Sequence, residues 1–330
     1  MIRLVSFSAL PAIAASLFAQ SALDQLKAYK DGNATPAQAA QQARVATEAT
    51  AQKYDILGIK VGMTIQEALA TLKAHNANFR LKPQTIKYDV VPNPLTYGIW
   101  ATSPNIYTGD NPVYDKVYKN ASTDRLPPDS EQFYFLLAMP PSRPTISKIT
   151  RFIRWSLNTA PLQDTLVGDL TKKYGSPSRD TGADKLTSYG SRDLVWIDGG
   201  RSGDRELLSC ADNPHSITFG FPDASGGVDG ISLPPDVTTL KLSLEKGYAQ
   251  AYTGGDRCGQ LTVIHARLYD TRRLRYPPTP NIVGGMAVMI ASGPMDAAAL
   301  EASRAYLMQA AKDRDAKLTK AAEQNRPKQF

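Results

Sequence analysis

Four side chains of this sequence could bind a metal ion or form a cross-link. They are both cysteines and two of the three histidines: Cys210, His215, Cys258 and His265. Two thiolates with two imidazoles form a common zinc set, but the close Cys-x-x-Cys spacing of such sites is missing. The alternative is a Cys210–Cys258 disulfide, which would stabilise an exported fold by about 4 kcal/mol. We predict this disulfide and no bound metal or cofactor.

The sequence offers no recognisable catalytic motif. It lacks a Gly-x-Ser-x-Gly nucleophile turn, a phosphate loop that ends in Gly-Lys-Ser/Thr, and a His-Glu-x-x-His helix. His75 ends a predicted helix and His265 lies within a predicted strand, so both are expected to have structural roles. Carboxylates that converge from distant positions would leave no motif. A hydrolase with such an assembled site is therefore kept as the alternative to a protein that only binds.

Two segments are candidate binding surfaces. Residues 92–144 contain nine prolines, and a stiff backbone that carries aromatic rings presents contact area at low entropic cost. The aromatic candidates there are Tyr97, Trp100, Tyr107 and Tyr114; the alternative is a long loop whose rings pack back on a sheet. Arg272, Arg273 and Arg275 flank Tyr276 and could bind phosphate or carboxylate. For these arginines the alternative is a solvated hairpin tip.

The first residues indicate export from the cytoplasm. Residues 1–19 contain one cation, Arg3, then an apolar run, then small residues that predict cleavage after Ala19 or Ser21. Ser6 and Pro11 interrupt the run, which is shorter than the roughly 20 apolar residues of a membrane span. We therefore predict a periplasmic or secreted protein without a membrane span, and not a membrane-anchored one.

The formal net charge is +7. A positive field favours anionic lipid headgroups, lipopolysaccharide or nucleic acid. The cations are spread along the chain without a run of five, however, and a basic solvated surface explains them equally well. We therefore predict no nucleic-acid partner.

The pattern of elements predicts one structural plan that occurs twice. Residues 54–61 predict a strand, and Thr64 with Glu67 forms a capping box for an amphipathic helix that ends near His75. Residues 146–157 alternate as a strand does. Leu162, Leu166, Leu170 and Tyr174 then predict a helix that Gly175 ends.

The remaining pattern predicts mostly antiparallel sheet, hence an α+β fold made of two helix-on-antiparallel-sheet modules with flanking N- and C-terminal helices. Further strands are predicted at residues 132–139, 186–189, 194–197, 216–221, 239–244, 259–269 and 282–291. The predicted boundaries are a signal peptide at 1–19, a helical arm at 20–53, a first module with a Pro/Tyr-rich insertion at 54–145, a second module at 146–292, and a C-terminal helix within 293–330.

Two short stretches resemble a known group of envelope proteins. Residues 58–68, which read Gly-Ile-Lys-Val-Gly-Met-Thr-Ile-Gln-Glu-Ala, resemble the start of the small-outer-membrane-protein (SmpA/OmlA) family and of modules like the β-lactamase inhibitor protein. Lys173 to Pro177 resemble a helix ending of the same modules. The resemblance implies a bacterial envelope protein that binds another protein or peptide and is not an enzyme. The lipid-bearing cysteine of the outer-membrane members is absent, and a purely structural envelope component is the further alternative.

Overall fold

The structure is a computed structural model that describes residues 53–104, 107–108, 111–112, 128–182, 190–198, 261–271 and 279–324. At 107–108 and 111–112 it describes the backbone only. The predicted signal peptide and both cysteines of the predicted disulfide, Cys210 and Cys258, lie outside this part. The strands predicted at 186–189, 216–221 and 239–244 lie outside it too.

The described part of the chain contains twelve strands and three helices. In chain order they are β1 (Asp55–Ile56), β2 (Ile59–Lys60), α1 (Ile65–His75), β3 (Arg80–Ile86), β4 (Leu95–Thr102), β5 (Tyr107–Thr108), β6 (Asn111–Pro112), β7 (Ser130–Leu137), β8 (Ile146–Arg154), α2 (Gln163–Tyr174), β9 (Arg179–Asp180), β10 (Ser191–Asp198), β11 (Thr262–Asp270), β12 (Val283–Ser292) and α3 (Gly293–Gln324). The predicted α+β class is confirmed at this level.

Eight of the strands form one antiparallel sheet. Their order is β3-β4-β7-β8-β12-β11-β10-β9. At its centre β8 pairs with β12, in a register that runs from Arg154 opposite Gly285 to Lys148 opposite Ala291. A single sheet therefore joins residues from both predicted modules.

Both faces of the sheet are packed. On the first face, which we call face A, α1, α2 and the β1–β2 hairpin cover a core that includes Phe133, Ile149 and Leu194. On the opposite face, face B, α3 packs on a core that includes Tyr134 and Phe152. Alternate residues of each strand point to opposite faces, so neighbouring residues of one strand serve different cores.

The helix ends follow the predicted capping chemistry. The side chain of Thr64 accepts from the backbone N–H of Glu67, and the Glu67 carboxylate accepts from the Thr64 N–H at 2.8 Å. At the end of α2, Gly175 has φ +86°, a conformation that glycine adopts without strain. The capping box and the glycine ending are thus confirmed.

Helix α3 changes its environment along its length. Its buried residues lie between Gly293 and Leu307, and residues from Met308 to Gln324 are mostly exposed. No helix in the described ranges is long and apolar enough to cross a membrane.

Two local predictions were wrong. Residues 54–61 form a two-stranded hairpin and not one strand, because Leu57 and Gly58 have φ +55° and +80° and reverse the chain. The Pro/Tyr-rich segment, which was predicted to be an insertion, contains β4, a strand inside the main sheet that pairs with both β3 and β7.

Candidate functional site

Two of the predicted binding residues belong to the core. Tyr97 and Trp100 lie on β4 and are 1% and 3% exposed. The Trp100 ring packs against Tyr134 with centroids 4.6 Å apart. The prediction that these two rings present contact area to a partner was wrong, and the alternative, that they pack on the sheet, holds for them.

The other predicted binding residues are not tested. The backbone of Tyr107 forms part of β5, and its side chain lies outside the described structure. Tyr114, Arg272, Arg273 and Arg275 also lie outside the described residues, so their proposed roles stay predictions.

The structure brings together a charged cluster on face A that the sequence did not predict. Glu131 on β7 bridges two basic side chains: one carboxylate oxygen accepts from Arg151 Nε on β8, and the other lies 2.9 Å from His75 Nε2 at the end of α1. The side chains of Arg151 and Glu131 are 19% and 15% exposed, and that of His75 is 36% exposed. We call these three residues the Arg151 cluster.

The Arg151 guanidinium is held in place on two sides. Besides its bond to Glu131, it lies over the Phe133 ring at 5.7 Å from the centroid. Within the described part of the chain, neither of its terminal nitrogens, Nη1 and Nη2, has a hydrogen-bond partner. A guanidinium has five N–H donors, so most of those on Arg151 can still bind an acceptor.

Aromatic side chains contact the Arg151 cluster, and further partly exposed apolar side chains follow along the chain. Phe79 stacks on His75 and meets Phe133 edge to face. Ile153 and Trp155 follow Arg151 along the chain and are half-buried on the same core. Leu157 and Leu162, in the connection from β8 to α2, are 38% and 57% exposed. Arg151 is thus a fixed cation next to apolar side chains. Such an arrangement is more typical of a binding surface than of a catalytic site.

A second charged cluster lies on face B. The Asp193 carboxylate on β10 accepts from Arg267 Nε at 2.7 Å and from His265 Nε2 at 2.8 Å, both on β11. Only 1% of the His265 side chain is exposed, against 17% and 16% for Asp193 and Arg267. Burial lowers the pKa of His265 despite the carboxylate, so the imidazole is neutral and donates its Nε2 proton.

This second cluster has the chemistry of a structural ion pair. Burial opposes the ionised form of Asp193, but its two hydrogen bonds and the Arg267 charge outweigh it and keep the pKa of the carboxyl below its ordinary value. An always-charged guanidinium shares the carboxylate with a histidine that a substrate could hardly reach. Of the proposed zinc set only His265 is described. In the described ranges no three His, Cys, Asp or Glu residues are grouped so that they could hold a metal ion.

Comparisons with models of protein families, with curated proteins and with solved structures found no match to this chain.

Proposed function

We propose that this protein is an exported envelope protein that binds another protein or peptide and does not catalyse a reaction. The observation that carries the proposal is the Arg151 cluster, where a guanidinium fixed by Glu131 and Phe133 keeps its terminal donors available. An ordered arginine loses little entropy on binding, and arginine is a frequent hot-spot residue in interfaces.

The chemistry of the surface favours an acidic partner segment. A carboxylate can accept two parallel hydrogen bonds from a guanidinium fork. The half-exposed rings of Phe79 and Trp155 and the exposed Leu157 would pack against apolar residues on either side of that carboxylate. The net charge of +7 would speed the approach of such a segment.

We also propose that the chain contains two modules of one plan, in keeping with the envelope family that residues 58–68 resemble. Helix α1 is followed by β3, β4, β7 and β8, and α2 by β9, β10, β11 and β12. The sheet order mirrors these two sets about the β8–β12 pair, and this symmetry supports the proposal.

The proposed function is tested by selection of peptides on the mature protein. A library of twelve-residue peptides displayed on phage is panned on the immobilised protein, and selected peptides are titrated by isothermal calorimetry. We expect sequences with Asp or Glu next to Leu or aromatic residues. Arg151→Met should weaken their binding by roughly 10- to 100-fold, as expected for a hot-spot residue.

Lys82→Met is the matched control because it removes one cation from the exposed strand β3. Arg151→Lys keeps the charge but not the fork, and should recover only part of the affinity. Circular dichroism must show each variant folded. Selection of peptides that contain no Asp or Glu would contradict the proposal. Equal binding by wild type and Arg151→Met would contradict it too.

A further inference from the structure

Buried polar side chains form a row on face B, remote from the Arg151 cluster. Ser130, Gln132 and Tyr134 occupy alternate positions of β7, so all three point to the same face as α3. Thr150 on β8 is directly opposite Tyr134 in the register. These side chains are almost fully excluded from solvent, with exposures of 1%, 0%, 2% and 0%. We call these four residues the polar row.

The polar row lacks hydrogen-bond partners. Both side-chain atoms of Gln132 and the hydroxyls of Ser130, Tyr134 and Thr150 have no partner within the described structure. A buried polar group left without a partner is destabilising. Gln132 alone offers two donors and two acceptor sites. Native proteins nearly always satisfy buried polar groups, so four unsatisfied neighbours on β7 and β8 need an explanation.

The position of Tyr134 shows how closely the neighbouring backbone approaches. A Cβ added at Gly98 on β4 would lie 2.5 Å from the Tyr134 hydroxyl. The glycine therefore lets the phenol lie flat over β4.

The charges around the polar row favour an anion. Lys148 and Arg154 lie on the same face of β8, on either side of Thr150, and both are buried. Asp296 at the start of α3 accepts from Ser147 Oγ at 3.2 Å and interacts with Lys148. Two buried basic side chains and several neutral donors together suit an acceptor-rich ligand.

We propose that face B holds a small carboxylate- or phosphate-bearing molecule bound by Gln132, Thr150 and the cations beside them. This site is separate from the peptide-binding surface and goes beyond the proposed function. Ordered water is the competing occupant, because water can also satisfy buried polar groups.

The experiment uses the full mature chain and two probes, inorganic phosphate and succinate, at constant ionic strength in chloride. Calorimetry and thermal unfolding measure binding, and native mass spectrometry of the purified protein looks for a retained ligand. We expect one probe to bind with a millimolar or lower Kd and to raise the melting temperature. The probe that binds identifies the oxyanion class.

Gln132→Leu should have opposite effects on thermal stability and on binding of the probe. It removes an unpaired polar group, so the ligand-free protein should melt at a higher temperature, but binding of the probe should weaken at least tenfold. Thr150→Val is the second variant should Gln132→Leu not fold. Arg151→Met should bind the probe as wild type does, which separates this site from the proposed peptide surface. Absence of binding by both probes together with an unliganded mass, or a crystal structure with water alone above Gln132, would overturn the proposal.

Discussion

The Asp193 carboxylate links two neighbouring strands near one edge of the sheet. Arg267 lies directly opposite it in the β10–β11 register, and His265 lies diagonally across. Both donate to the same oxygen. Such a partly buried carboxylate is stable as an anion only while both donors are present.

The two pKa shifts in this cluster make folding sensitive to acid. The folded-state pKa values of both Asp193 and His265 are lowered, so the unfolded chain binds the protons first. The stabilising contribution of this cluster is therefore complete above the unfolded pKa of histidine, about 6.5, and falls as the pH drops through that value and then through about 4.

We predict that Asp193→Asn destabilises the protein by about 3 to 5 kcal/mol at pH 7, because the partly buried Arg267 charge loses the carboxylate that neutralises it and keeps only a neutral amide oxygen as acceptor. It should also flatten the decline of stability between pH 5 and 3. Urea unfolding at pH 7, 5 and 3 measures both effects. Asp89→Asn, in an exposed loop, is the control and should change stability by less than about 0.5 kcal/mol. An unchanged unfolding free energy for Asp193→Asn would refute the structural role.

Neither charged cluster was predictable from the sequence. Asp193 and Arg267 are 74 positions apart, and Glu131 and His75 are 56 apart. Their contacts depend on which strands pair and in which register, and one sequence does not contain this information. Alternation within β10 and β11 could have placed these side chains on a sheet face, but not opposite each other.

At the scale of elements, α3 begins with a buried charge pair. A β-bulge in the β7–β8 register at Ser147 turns this side chain toward Asp296. Lys148, the next residue, is 4% exposed. Burial lowers its pKa to about 7, although Asp296 opposes the shift.

This lowered pKa predicts that stability rises with pH. Between about 7 and the ordinary value of 10.5, the unfolded chain binds a proton that the folded chain does not, so the cost of burying the charge disappears as the pH increases. We expect wild type to gain about 2 kcal/mol from pH 7 to 9 in urea unfolding. Lys148→Met should show no such gain. A gain of the same size in the variant would show that other groups cause it.

Helices were predicted more successfully than strands because their signals are local. Thr64 with Glu67 and the glycine at 175 marked the helix ends correctly, and the final helix, predicted within 293–330, is observed at Gly293–Gln324. Strand β4 was missed because it lies in a proline-rich segment and contains Gly98. Strand β3 contains Pro83, which edge strands tolerate. In both, tertiary pairing outweighs a weak local preference.

At the scale of the whole molecule, the continuous sheet predicts that the two proposed modules unfold together. The β8–β12 pair joins them through seven residue pairs, and the cores on both faces extend across it. Cutting the sheet there would expose Ile149 and Ile290, which are fully buried. Each half alone would therefore lose a large part of its apolar burial.

Hydrogen exchange in increasing urea tests this cooperativity. The most protected amides of β7 and β11 should converge on one unfolding free energy and one urea dependence. Exchange of one half at a free energy several kcal/mol lower than the other would indicate two independent domains.

The most direct test of the proposed binding function uses the three tryptophan indole signals in a nitrogen–proton correlation spectrum. Trp155 follows Arg151 by four residues and is half-buried, whereas Trp100 and Trp196 are 3% and 5% exposed, and Trp196 donates to the Gly175 carbonyl. On titration with a selected acidic peptide we predict a shift of the Trp155 signal alone, and its loss in Arg151→Met. A bound peptide that leaves the Trp155 signal unmoved would contradict the account.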